Sequence, residues 1–343
     1  MNFKKYSTIS IILSIILLSD IAKVNSREDN FYRIYFTSPW NKGVSRNNPE
    51  TAIINLISQT KRSFFGAFYD ISSKKIAYAL QKAHARGVKV KLVVERDNYN
   101  KKGMGIIKKA GIPVVKDNKS GYMHNKFAIA DKRILWTGSY NLTDNGSYKN
   151  NNNAIMILSS DLSNIYLNEF DEMFRYKIFG NKKEKKVFSG LTKKYYVKIG
   201  NTNINAYFSP EDSIENIIIK RLKKAKESIH FMVFSFTSDK IGEEMIHQHR
   251  KGVKVYGLME KRGAKSKYSE YIKMKIEGIP VKLDRNRYIM HHKVIVIDKK
   301  RVITGSFNFS KNANKKNDEN VLIIDNSNIS GEYLKEFYRL YRK

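Results

Sequence analysis

Apolar residues in this chain come in short runs that switch between two periods. Residues 63–69 (Ser-Phe-Phe-Gly-Ala-Phe-Tyr) are too short a run for a helix and rich in aromatic side chains, which reads as a buried strand. Ile76, Leu80 and Ala83 then recur at helical spacing, predicting a helix over 73–86 that Gly87 caps and a strand over 88–94. A helix over 101–110, a turn at Gly111-Ile112-Pro113 and a short strand follow. Next come a strand beginning at His124, a tight turn at Asp131-Lys132 and a strand over 134–138. The same order is predicted again at 228–236, 239–250, 253–259, 266–277, 291–297 and 301–305. Phe127, Ala128 and Ile129, like Val294, Ile295 and Val296, are apolar on both faces, as central strands are.

The two sets match residue by residue. Gly87-Val88-Lys89-Val90 matches Gly252-Val253-Lys254-Val255 at an offset of 165, and Gly111-Ile112-Pro113-Val114 matches Gly278-Ile279-Pro280-Val281 at 167. Tyr35-Phe36 and Tyr207-Phe208 open the two copies. Ordered matches at a nearly constant offset mean internal duplication. Alternating strands and helices imply an α/β fold: two similar α/β sandwich units, with mixed sheets where the last strands pair antiparallel. A pseudo-two-fold axis is expected to relate them. The expected division is 27–180 for the first unit, 181–200 for a polar linker and 201–343 for the second unit, with Tyr195-Tyr196-Val197 as a candidate extra strand.

Composition changes the picture in three ways. The 343 residues carry a formal net charge of +32, a balance suited to polyanions such as nucleic acid, anionic lipid headgroups or cell-wall polymers. The absence of cysteine excludes disulfides, thiol nucleophiles and Cys-ligated metal centres. Lys4 and Lys5, the apolar stretch 9–18, and Val24 and Ser26 ahead of Arg27 have the form of a signal peptide over 1–26. Export to the periplasm or beyond the cell is therefore expected, an uncleaved N-terminal anchor being the alternative.

The chemistry lies in a motif present twice: His124-Asn125-Lys126, Asp131, Gly138-Ser139, Asn141, and His291-His292-Lys293, Asp298, Gly305-Ser306, Asn308. The differences 291 − 124, 298 − 131, 305 − 138 and 308 − 141 are all 167. Residues two apart in a strand share a face, so His124 and Lys126 point together, as do His291 and Lys293. Imidazole titrates near neutrality, so one neutral histidine can attack phosphorus while a protonated one donates to the leaving oxygen. Lys126, Lys293, Asn141, Asn308, Ser139 and Ser306 are the candidate phosphate-holding groups. Asp131 and Asp298 read as structural charges. No metal or other cofactor is needed for this chemistry, and one chain supplies both half-sites, which predicts a monomer without an obligatory protein partner. Tyr140, Tyr148 and Phe307 flank the Gly-Ser segments and are candidates for stacking or for packing.

The pattern His-x-Lys-(four)-Asp followed by Gly-Ser-x-Asn resembles the signature of the phospholipase D superfamily, and the likeness covers nearly all of the chain after residue 26. It implies a single site where the two units meet, with His124 and His291 in the covalent and acid–base roles. Members of the superfamily often carry an acid eleven residues after the asparagine. Glu319 stands there in the second copy, whereas Asn152 stands there in the first (319 − 308 and 152 − 141 are both 11). Were Glu319 to support His291, that ring would hold the proton and His124 would attack. The superfamily contains nucleases, phospholipases D and cardiolipin synthases. The compact first copy, without lipid-docking inserts, is similar to the bacterial endonucleases and mitochondrial cardiolipin hydrolase. A nuclease on DNA or RNA is therefore expected, with a phospholipase D acting on headgroups as the alternative.

Overall fold

The computed structural model describes residues 31–39, 48–118, 121–183 and 195–343. The expected leader over 1–26 and residues 184–194 of the expected linker lie outside them. Strands of the first unit are β1 (Tyr32–Phe36), β2 (Ser63–Phe68), β3 (Lys89–Val94), β4 (Val114–Lys116), β5 (Lys126–Ala130), β6 (Ile134–Gly138) and β7 (Asn153–Leu158). Those of the second are β8 (Tyr196–Ile199), β9 (Thr202–Ser209), β10 (Ser228–Val233), β11 (Lys254–Met259), β12 (Val281–Leu283), β13 (Lys293–Ile297), β14 (Arg301–Gly305) and β15 (Glu319–Asp325).

The sheets run β1-β7-β6-β5-β2-β3-β4 and β12-β11-β10-β13-β14-β15-β9-β8. In each sheet the βαβ crossovers make a parallel half, β2-β3-β4 and β10-β11-β12. Tight hairpins make the antiparallel remainder, so both sheets are mixed. The hairpins between β5 and β6 and between β13 and β14 turn at Asp131-Lys132 and Asp298-Lys299, all four with φ between 51° and 55°. Two successive positive φ values give the turn whose twist matches its flanking strands.

Beyond the elements expected from periodicity, helices occur at Pro49–Gln59 and Ile214–Leu222 and, 15 residues long each, at Ser160–Phe174 and Ser327–Tyr341. The two long helices build the centre of the molecule. Leu162, Tyr166 and Phe170 of one and Ile329, Tyr333 and Phe337 of the other share a core with Phe127 and Ile155 of the first sheet and Val294 and Leu322 of the second. The remaining helices cover the two outer faces. The layers therefore run helix, sheet, helix pair, sheet, helix, and both sheets are covered on each side. That is why β5 and β13 are apolar after their leading lysines, each of their residues being buried. Tyr140 and Phe307 belong to the outer cores. Among the described residues no helix is long and apolar enough to cross a membrane.

The expected linker is in part tied down. Lys183 is 5% exposed and ion-paired with both Glu169 of the first unit and Asp318 of the second.

Candidate active site

Strand order brings the two motifs to one place. β5 and β13 begin at the lysines, and each histidine sits just ahead of its strand, where its backbone pairs with the other unit. His124 N–H donates to Asp318 O at 3.0 Å, and His291 N–H donates to Asn151 O at 2.9 Å. A buried carboxylate holds each approach: Glu95 accepts from Met123 N–H at 2.7 Å and Glu260 from Met290 N–H at 2.6 Å. Both imidazoles are nearly buried, 9% and 8% exposed.

The Nδ1 partners are crossed between units, which corrects the expectation for Glu319. Glu319 lies on His124, 2.8 Å from Nδ1, and the Ser306 carbonyl also accepts there. His291 Nδ1 faces Asn152 Oδ1 at 2.9 Å and the Ser139 carbonyl at 3.1 Å. The physical cause is docking. β15 carries Glu319 to the edge of the first unit's motif and β7 carries Asn152 to the edge of the second's. Each ring is therefore supported by the other half, and Nε2 is left for chemistry in both.

Gly138 and Gly305 permit this approach. A Cβ at Gly138 would lie 2.4 Å from Asn153 O and one at Gly305 would lie 2.2 Å from Asn320 O, at φ of +149° and +151°. Only glycine tolerates both the contact and the backbone angle. The hydroxyls of Ser139 and Ser306 turn inward. Ser139 Oγ reaches Asn152 Oδ1 at 3.1 Å and accepts from Asn153 N–H at 3.1 Å, while Ser306 Oγ accepts from Asn320 N–H at 3.0 Å and also bonds the Glu319 carboxylate. Both serines are fully buried. Their expected role as phosphate donors therefore gives way to holding the Nδ1 partners.

Lys126 and Lys293 are buried over Tyr69 and Phe234, each ammonium 5.0 Å from the ring centre. Each donates to the carbonyl of its own histidine, Lys293 at 2.8 Å. Asn141 and Asn308 each keep a buried amide oxygen without a partner, at matched positions on both sides. Asp131 stands at the far end of its strand from His124 and accepts from the backbone N–H groups of Lys61, Arg62 and Ser63. Asp298 does the same for Lys226, Glu227 and Ser228.

The residues of the site are short of negative charge. Burial, then the positive charges of Lys126 and Lys293, hold His124 well below the usual imidazole range. Burial, then Lys293, Lys126 and His124, do the same to His291. That each motif's charges act on the other's ring shows how closely the two converge. Burial lowers Lys126 to about 7 and pushes the Glu319 carboxyl up to about 8. At 2.8 Å the two groups are within ion-pair distance, yet burial drives both toward their neutral forms. The geometry fixes Glu319 as the Nδ1 partner whichever of them holds the proton. An entering phosphate anion supplies the missing charge and favours protonated lysine and imidazole.

Behind the motif lies a buried polar network in two copies that spacing rules do not single out. Asn320 Nδ2 donates to Asn125 Oδ1 at 2.8 Å, and its Oδ1 accepts from Thr137 at 2.7 Å and Tyr166 at 3.1 Å. Asn153 mirrors it with His292 at 2.9 Å, Thr304 at 3.0 Å and Tyr333 at 3.4 Å. The differences 320 − 153, 292 − 125, 304 − 137 and 333 − 166 are all 167, so the repeat offset was the available signal. Each asparagine reaches into the opposite unit, and the pair thereby fixes the relative position of the two half-sites.

Comparison with known proteins agrees with this geometry. The family model described as cardiolipin synthase, PLD-like domain, matches twice, at 53–174 and 218–341. A phospholipase D of Rickettsia prowazekii is 34% identical over 141 residues, covering 41% of this chain and 69% of the relative. The mitochondrial cardiolipin hydrolase of Homo sapiens is 38% identical over 108 residues, covering 31% of this chain and 43% of the hydrolase. A phosphatidylserine synthase of Haemophilus influenzae has the same fold with a TM-score of 0.67 and 13% identity, over 89% of this chain and 86% of that one. With two motifs converging on one pair of histidines and a family model matching both halves, the chain belongs to the phospholipase D superfamily and is a phosphodiesterase built as an internal duplication.

Proposed function

We propose that this protein hydrolyses the phosphodiester backbone of nucleic acid, DNA or RNA, as an exported monomer. The observation that carries the reading is the character of the rim. Of the six exposed tyrosines among the described residues, Tyr122 and Tyr288 lie on the segments that lead into His124 and His291, and Tyr268 lies on the 260–269 loop, which is tied to the second of these segments through Glu260 and Met290. Tyr122 packs on Tyr69 at 6.0 Å, and Tyr69 on His124 at 5.0 Å. Exposed aromatic rings among cations suit bases and phosphates together, and the +32 charge suits a polyanion.

In this reading His124 attacks. Its Nε2 forms a bond to phosphorus while the bond to the leaving oxygen breaks, and His291 Nε2–H gives that oxygen its proton. Water then loses a proton to His291, attacks phosphorus and frees His124. Glu319 behind His124 makes the ring more basic and stabilises the positive charge that develops on it. His291 has only an amide behind it, so its protonated ring is the stronger acid. The sequence-based choice of His124 is thus retained, but for the opposite reason. Lys126, Lys293, Asn141 and Asn308 hold the equatorial oxygens.

A second reading, release of phospholipid headgroups, is favoured by the 34% identity with the Rickettsia phospholipase D. The deciding experiment offers single-stranded DNA, RNA, phosphatidylcholine vesicles and cardiolipin vesicles side by side, with and without EDTA. The expected result is nucleic-acid cleavage that persists in EDTA. Cleavage of lipid alone would support the second reading. Loss in chelator restored by magnesium would refute the two-histidine mechanism.

A further inference from the structure

The repeat offset changes from 165 at Gly87 and Gly252 to 167 at Gly111 and Gly278. Two residues have therefore been added to the second unit between these points. The helices Lys74–Ala85 and Asp239–Arg250 and the strands β3 and β11 still match at 165, so the addition falls after β11; the loop there is three residues longer and the helix Glu270–Ile276 that follows is one shorter than Lys102–Lys109. That loop spans 260–269, against 95–101 in the first unit. The longer loop carries Lys261, Arg262, Lys265 and Lys267, all exposed. It is tied to the segment entering His291, since Glu260 accepts from Met290 N–H at 2.6 Å and Lys261 donates to Asn286 O at 3.1 Å. That segment adds exposed Arg285 and Arg287, and its acid, Asp284, is buried. No carboxylate among the described residues pairs with Lys265, Lys267, Arg285 or Arg287. Tyr268 is 65% exposed and Tyr288 39% exposed, with Lys267 against the first ring and Lys149 against the second.

The corresponding rim of the first unit is built differently. Arg96 is bound to the Asp117 carbonyl at 2.7 and 3.0 Å, Asp97 is exposed beside it, and Asp70 faces Lys101 and Lys126. Among the described residues the two rims are therefore electrostatically unequal, with the surplus positive charge on the His291 side.

We propose that the rim formed by 260–269 and 284–290 is a strand-binding subsite that holds the single-stranded nucleic acid on the leaving-group side of the scissile phosphate. This deepens the nuclease reading above and rests on it. The in-line path places the leaving oxygen toward His291, so the chain beyond that oxygen runs onto this rim. There unpaired cations meet its phosphates, and Tyr268 and Tyr288 meet its bases. Unpaired bases are required because an aromatic ring can stack only on a base that is not already stacked within a duplex.

The test replaces Lys265, Lys267, Arg285 and Arg287 together by serine. The control replaces Lys220, Lys223, Lys224 and Lys226, which precede β10 and so lie at the end of the sheet remote from His291. Binding of a fluorescent 20-mer of single-stranded DNA is measured by anisotropy across a salt series, and cleavage of the same oligonucleotide is compared with turnover of bis(p-nitrophenyl) phosphate. The rim variant should raise KM and Kd for the oligonucleotide by roughly tenfold or more and flatten the salt dependence by about 0.7 per lost contact. Its kcat/KM for the small diester should stay unchanged, and the control should resemble the parent. Unchanged oligonucleotide affinity in the rim variant, or an equal loss in the control, overturns the subsite. So does a variant that loses binding to anionic vesicles while keeping that to DNA. If the parent binds the oligonucleotide through this rim without cleaving it, the subsite stands and the nuclease reading fails.

Discussion

Glu319→Gln isolates what the crossed pairing does. The substitution keeps the shape of a fully buried side chain and leaves an oxygen able to accept from His124 Nδ1–H, so the ring stays oriented. It removes a carboxyl whose ionised form, favoured once Lys126 is protonated, would stabilise an imidazolium forming on attack, and both rings then have amides behind them. A hydrogen bond to a charged group exceeds a neutral one by about 1 kcal/mol, which sets a floor of roughly fivefold on the phosphorylation step. Full Coulomb attraction across about 4 Å at an effective dielectric of about 20 is about 4 kcal/mol, which sets a ceiling near a thousandfold. The assay is rapid-quench measurement of the burst with bis(p-nitrophenyl) phosphate, whose leaving group needs little protonation, so the burst reports attack by the nucleophile. Asn152→Ala, acting through His291 at 2.9 Å, should leave this burst nearly intact while slowing substrates with alkoxide leaving groups. The opposite pattern, a normal burst in Glu319→Gln and none in Asn152→Ala, would assign the nucleophile to His291 and refute the reasoning.

Two further outcomes follow from the same geometry. Lys126, lowered to about 7 by burial, loses its charge as pH rises through that value, whereas a bound anion favours its charged form. Affinity for sulfate should therefore weaken as pH rises through about 7, by up to tenfold per unit for one linked proton; calorimetry in buffers of different ionisation enthalpy should show proton uptake, and pH-independent binding would contradict it. Asn320→Leu strands the Asn125 oxygen and the Thr137 and Tyr166 hydroxyls in the interior. At about 1–3 kcal/mol for each unsatisfied group, urea unfolding should show a loss of about 3 kcal/mol or more, and a loss below about 1 kcal/mol would mean the network relaxes freely.

The sequence by itself determined the duplication, the hairpins and the chemical inventory. Those features are local or repeated. A polar Asp-Lys pair between two apolar runs marks a tight turn, and an apolar run such as 294–297 is apolar on both faces and so reads as a buried central strand. The offset of 167 paired His124 with His291 and Lys126 with Lys293 without reference to space. Only the tertiary structure decided who supports whom. Glu319 is 11 residues from Asn308 and 195 from His124, yet it lies on His124, because the docking of the two sheets and not chain distance chooses partners. The same docking turned the Ser139 and Ser306 hydroxyls inward and sandwiched the two long helices between the sheets. It also set Asn153 and Asn320 across the boundary between units. Periodicity reports that a face is buried. It carries no record of the surface that buries it, and in this protein that surface belongs to the other half of the chain.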